Sequence, residues 1–92
     1  MYKQETTIVN RTGLHARPAT EFVNCAKKFE SKITIQRAGE ESEKAFNAKS
    51  MVTLLTLALK KGESVIICAD GSDEVEAVDT LVSLLQEGFG EE

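Results

Sequence analysis

Ninety-two residues, 41% of them apolar, suffice for one domain with one modest core. A formal charge of −4, from 15 acidic against 11 basic side chains, argues against general nucleic-acid binding. No apolar run approaches the ~20 residues of a membrane-spanning helix, and the first residues lack the apolar stretch of a signal peptide. A soluble, cytoplasmic domain with no membrane insertion is the expectation. Cys25 and Cys68 stand too far apart for a metal-ligand pair, so no metal or other cofactor is expected. Cys68, inside an apolar run, is expected to be a small buried hydrophobe.

In chain order, residues 3–9 are rich in β-branched side chains and predict a first strand. Asn10-Arg11-Thr12-Gly13 then breaks the chain as a turn. Pro18 has a fixed φ and no N–H, which suits the first turn of a helix. The apolar spacing Ala19, Phe22, Val23, Ala26, Phe29 carries that helix over about residues 16–28. Alternation over residues 32–37 predicts a second strand with Ile33 and Ile35 facing inward. A polar hairpin loop over residues 38–44 leads to a short third strand at residues 45–47.

Ser50 is expected to cap a helix over residues 51–60, with Lys60 and Lys61 closing its last turn and Gly62 just beyond. Leu54, Leu57 and Ala58 share one face of that helix, whereas Met51, Val52 and Leu55 share another. Either the helix is buried on two sides or the second face is exposed for docking. Residues 64–69 form the most apolar strand, expected inside the sheet. Asp70-Gly71 turns the chain, and Ser72 is the expected cap of a last helix. Asp73 and Glu74 favour its start, and Val75, Val78, Leu81, Val82 and Leu85 are its expected buried stripe. Residues 88–92 are expected to fray. The order βαββαβα predicts an α+β fold, with helices on one face of a mainly antiparallel sheet. Pattern alone leaves the strand order open.

The stretch Gly13-Leu14-His15-Ala16-Arg17-Pro18-Ala19-Thr20 contains the chain's one histidine and one proline. His15 is expected at or just before the N-cap of the first helix. The free amides of Ala16 and Arg17 would lie beside the imidazole, at the positive end of the helix dipole, with the Arg17 guanidinium near. Arg11, Lys27, Lys28 and Lys49 are also expected around the site. Such a setting suits an imidazole that holds a phosphoryl group transiently on nitrogen. Imidazoles as a class titrate near neutral pH, so no separate base is required. The plainer reading is a surface or capping histidine, and the residues alone leave both open.

The eight-residue stretch closely resembles the active-site signature of the histidine-containing phosphocarrier (HPr) family of the bacterial phosphotransferase system. Asn47-Ala48-Lys49-Ser50-Met51 is similar to that family's regulatory-serine motif. Ala69-Asp70-Gly71-Ser72-Asp73-Glu74 is similar to the turn before its last helix. The resemblance spans essentially the whole chain and implies a monomeric, open-faced β-sandwich of four strands with three helices on one face. It implies a phosphoryl carrier rather than an enzyme. By resemblance, His15 accepts the group through Nδ1 from phosphorylated enzyme I and passes it to enzyme IIA domains in sugar uptake. Arg17 and the backbone amides of Ala16 and Arg17 hold the phosphate. Thr20, Lys27, Lys49, Met51, Val52 and Leu55 belong to the implied docking surface. Ser50 is the implied target of HPr kinase/phosphorylase, after which the protein partners a transcriptional regulator. Met51-Val52-Thr53 departs from the family's Ile-Met-Gly run, and the loop before it is longer than usual. The alternatives are a paralogue in a non-sugar relay, or a regulatory binding module acting through Ser50 phosphorylation.

Overall fold

The computed structural model describes residues 1–39 and 44–90. The elements are β1 (Tyr2–Thr7), α1 (Arg17–Ala26), β2 (Lys32–Arg37), β3 (Phe46–Asn47), α2 (Met51–Leu57), β4 (Ser64–Asp70), α3 (Glu74–Gln86) and a closing 3-10 turn, Gly88–Gly90. The strands form one antiparallel sheet in the order β1-β4-β2-β3. β4 lies inside it, as its apolar composition predicts, paired with β1 on one side and β2 on the other.

Strand alternation decides which face is covered. Val65, Ile67 and Ala69 of β4 and Ile33 and Ile35 of β2 are buried on one side. Against them pack Phe22 and Val23 of α1, Leu54 of α2, and Val78, Leu81 and Leu85 of α3. Asp79 of α3 ties β1 down, accepting from Gln4 Nε2 at 2.7 Å and Tyr2 Oη at 3.2 Å. The opposite sheet face carries Lys3, Lys32, Thr34, Ile66 and Cys68, which line a shallow groove. The result is the open-faced α+β sandwich expected from the element order. No helix among the described residues is long and apolar enough to cross a membrane.

Several local expectations are corrected by tertiary contacts. Cys68 is half-buried on the open face rather than in the core, because Val65, Ile67 and Ala69 take the inward positions of β4. α2 stops at Leu57 instead of running to residue 60. Ala58 turns the chain left-handed (φ 50°, ψ 48°), and this lets Leu59 enter the core at 2% exposure. Lys60 and Lys61 therefore lie beyond the helix. Val75 is 51% exposed, and Ala77 takes its place in the buried stripe of α3. Gly88–Gly90 does not fray: it closes a turn that lays Phe89 partly against the core. Part of the expected 38–44 hairpin loop, and residues 91 and 92, lie outside the described residues.

Ser72 is not the cap of α3. Asp73 holds that position, but its carboxylate serves another segment. It accepts the amides of Glu30 (2.9 Å) and Ser31 (3.0 Å), together with the Ser31 hydroxyl. These bonds, the Ser31 hydroxyl foremost, hold the Asp73 carboxyl below the usual carboxylate range. A depressed folded-state pKa contributes stability at pH above the unfolded value and loses it as pH falls through the folded value. Asp73→Asn is therefore expected to melt below the parent at neutral pH, with the gap closing on acidification. Thermal unfolding followed across that range checks this; a gap independent of pH contradicts it.

Candidate functional site

Two anchors hold the turn between β1 and α1. Asn10 is buried, and its Nδ2 donates to the Gly13 carbonyl at 2.7 Å, while the Gly13 amide returns a bond to the Asn10 carbonyl at 3.1 Å. Leu14 is fully buried, and its amide donates to the Leu59 carbonyl at 2.9 Å. Gly13 has φ +68°, and a Cβ there would sit 2.3 Å from the Leu59 oxygen, so only glycine permits this approach. His15 follows directly and is exposed.

Ala16 is the N-cap of α1, with φ 52° and ψ −123°. A side chain carrying a Cβ rarely adopts this combination, which belongs to the first central residue of a type II′ turn. Strain of this kind costs about 1–3 kcal/mol and persists only where surroundings impose it. Here buried Leu14 on one side and the helix start at Arg17 and Pro18 on the other impose it. The Ala16 carbonyl accepts the Thr20 amide at 3.1 Å and the Thr20 hydroxyl at 3.2 Å, which closes the first turn. Thr20 itself is exposed.

The helix start is open to an anion. α1 has no side-chain cap and no acidic residue in its first turn. Among the described residues, no hydrogen bond engages the His15 ring or the amides of Ala16 and Arg17. Those amides, at the positive end of the helix, are available to phosphoryl oxygens beside the imidazole. The Arg17 side chain is 88% exposed, with Nε 3.6 Å from Glu21 Oε1 one turn along. An exposed pair of this spacing is worth about 0.3–0.5 kcal/mol, so Glu21 holds the guanidinium only weakly.

The remaining expected residues are spread along α1 and α2. Lys27 forms the C-cap of α1. It lies about 15 Å along the helix axis from the His15 end, by the rise of ten residues. Lys49 Nζ donates to the Phe29 carbonyl at 2.7 Å, just past α1. Ser50 caps α2: its Oγ accepts the Thr53 amide at 3.3 Å and the Thr53 hydroxyl at 2.9 Å. Val52 is 75% exposed and Leu55 38% exposed, whereas Met51 is half-buried against the core. The second apolar face of α2 is thus largely uncovered. In the sequence Asn10 is marked only as part of a turn, and Leu59 falls inside the expected helix. Asn10 had a turn signal that pointed the right way, whereas nothing local marked Leu59 as the acceptor for Leu14.

Comparison with known proteins shows which family the chain resembles. The family model described as "PTS HPr component phosphorylation site" matches residues 2–87. Phosphocarrier protein HPr of Haemophilus influenzae is 46% identical over 85 residues, covering 92% of this chain and 95% of that protein. A multiphosphoryl transfer protein of the same organism is 41% identical over 92% of this chain, which spans only 17% of that longer protein. Among solved structures, HPr from Thermoanaerobacter tengcongensis superposes with a TM-score of 0.90 at 43% identity, covering 100% of this chain and 99% of that one. Matched along nearly its whole length in both sequence and fold, the chain belongs to the HPr phosphocarrier family of the phosphotransferase system.

Proposed function

We propose that His15 is the phosphoryl acceptor, charged by phosphorylated enzyme I and discharged to enzyme IIA domains in the cytoplasm. The observation that carries this reading is an exposed imidazole with no hydrogen-bond partner among the described residues, set directly before an uncapped helix start. In the transfer, the Nδ1 lone pair of neutral His15 attacks phosphorus. The bond from phosphorus to the donor breaks, and its electron pair leaves with the donor. The Ala16 and Arg17 amides and the Arg17 guanidinium receive the phosphoryl oxygens. The partner supplies the rest of the chemistry, so the protein acts as a carrier and not as an enzyme. Likeness to a multiphosphoryl transfer protein supports a place among phosphotransferase partners.

Thr20, Lys27, Lys49, Met51, Val52 and Leu55 form the proposed docking surface, supported by the exposure of Val52 and Leu55. Incubation with enzyme I and phosphoenolpyruvate tests the assignment. Acid-labile phosphate on the protein, passed on to an enzyme IIA domain, supports it; a protein that stays unlabelled defeats it.

Ser50 is the proposed regulatory site. Its place at a helix N-cap supports the reading, because the dipole there tolerates a phosphate while the added charge reaches the docking surface. The expected result of incubation with HPr kinase/phosphorylase and ATP is a phosphate mapped by mass spectrometry to Ser50, with slower uptake at His15. An unmodified Ser50 would reduce this serine to its capping role.

A further inference from the structure

The peptide group joining Leu59 to Lys60 is held at both ends. Its carbonyl accepts the Leu14 amide at 2.9 Å, one residue before His15. Its N–H, the Lys60 amide, donates to Glu63 Oε2 at 2.6 Å. The peptide is planar, so the carboxylate that fixes the N–H also fixes the direction of the carbonyl. Glu63 is held in turn: Oε1 accepts Arg37 Nε at 2.9 Å, and Arg37 Nη2 donates to the Leu57 carbonyl at the end of α2. Gly13 lies close against this same peptide, which leaves no room for the plane to tilt without moving the turn.

We infer that Glu63 is a positioning residue for His15, acting through the Leu59–Lys60 peptide to set the bond that seats the histidine turn. The inference rests on the assignment of His15 as the acceptor. A charged acceptor makes a stronger bond to an amide than a neutral one, and bonds in series polarise one another. The Arg37 guanidinium and then the Lys60 amide hold the Glu63 carboxyl below the usual range, as expected of a carboxylate under load from both sides. Without it, the Leu59–Lys60 plane is free to rock, and the Leu14 bond rocks with it. Transfer between two proteins depends on the attacking nitrogen being in line, so a small displacement of His15 lowers the rate. Glu63 also reaches the end of α2 through Arg37, so kcat read against KM separates positioning of His15 from docking.

The test compares Glu63→Ala and Glu63→Gln with the parent, using phosphorylated enzyme I as donor and amide exchange at Leu14 in the unphosphorylated protein. Glu63→Ala is expected to lower kcat about tenfold at unchanged KM and to speed Leu14 exchange by a similar factor. Glu63→Gln keeps one oxygen for the Lys60 amide but loses the charge and the acceptor for Arg37 Nε, and is expected to recover part of both. Wild-type kcat in folded Glu63→Ala, a loss carried only by KM, or no recovery in Glu63→Gln overturns the inference. Should Glu63→Ala not fold, Glu63→Asp retains the charge but draws the oxygens back from Lys60; a reduced kcat there supports the inference and a parental kcat overturns it. Parent protein that takes up no phosphate defeats the reading of His15, whereas unchanged Leu14 exchange in Glu63→Ala defeats the positioning role alone.

Discussion

His15→Ala is expected to abolish phosphate uptake from phosphorylated enzyme I while leaving the fold intact. The ring is exposed and makes no hydrogen bond among the described residues, so its removal takes nothing from the core. Surface substitutions of this kind stay within about 0.5 kcal/mol of the parent in stability. Arg17, the open amides and the exposed face of α2 all remain, but the nitrogen proposed to accept the phosphoryl group is gone. Label transfer measured beside thermal unfolding checks both halves. Uptake at the parental rate would end the assignment, and a large drop in stability would mean that the ring has a structural role.

Gly13→Ala is expected to have the largest effect on stability among single changes near the site. At φ +68° an alanine carries a left-handed penalty of about 1 kcal/mol. Its Cβ would also lie 2.3 Å from the Leu59 oxygen and 2.9 Å from the Lys60 Cα, both backbone atoms that cannot move alone. Relief requires the turn to lift, which breaks the Leu14–Leu59 bond, worth about 1 kcal/mol net, and withdraws Leu14 from the core. A total loss of about 2–4 kcal/mol follows, together with slower phosphate uptake, because His15 moves with the turn. Denaturant unfolding and the transfer assay, run on the same protein, read the two effects. Parental stability would show that the turn yields more easily than its contacts imply.

What could be read in the sequence follows from how local each signal is. β2 matches its predicted bounds to the residue, because Ile33 and Ile35 alternate cleanly with polar neighbours. β4 was recognisable as an interior strand from its composition, although the same composition made Cys68 look buried. The end of α2 was not legible: lysines and a glycine after residue 59 look like helix punctuation, yet the burial of Leu59 bends the chain earlier, at Ala58. Capping rules favoured Ser72, but Asp73 occupies the cap position while bonding across to Glu30 and Ser31, a partnership no short window contains.

The site divides in the same way. His15 was visible as the one histidine just ahead of the one proline, within a stretch that resembles a known signature. The strained backbone of Ala16 was not visible, since alanine disfavours positive φ and only the surrounding fold imposes it. Nor was the dependence of the turn on Leu59, which lies far along the chain and contributes only a carbonyl.

Phosphorus NMR of the protein mixed with enzyme I and phosphoenolpyruvate tests whether His15 carries the phosphoryl group. One phosphoimidazole resonance is expected, assigned to Nδ1 of His15 by its coupling to the ring nitrogen and missing in His15→Ala. Phosphate bound through a hydroxyl oxygen, or a spectrum showing only free phosphate and phosphoenolpyruvate, would contradict it.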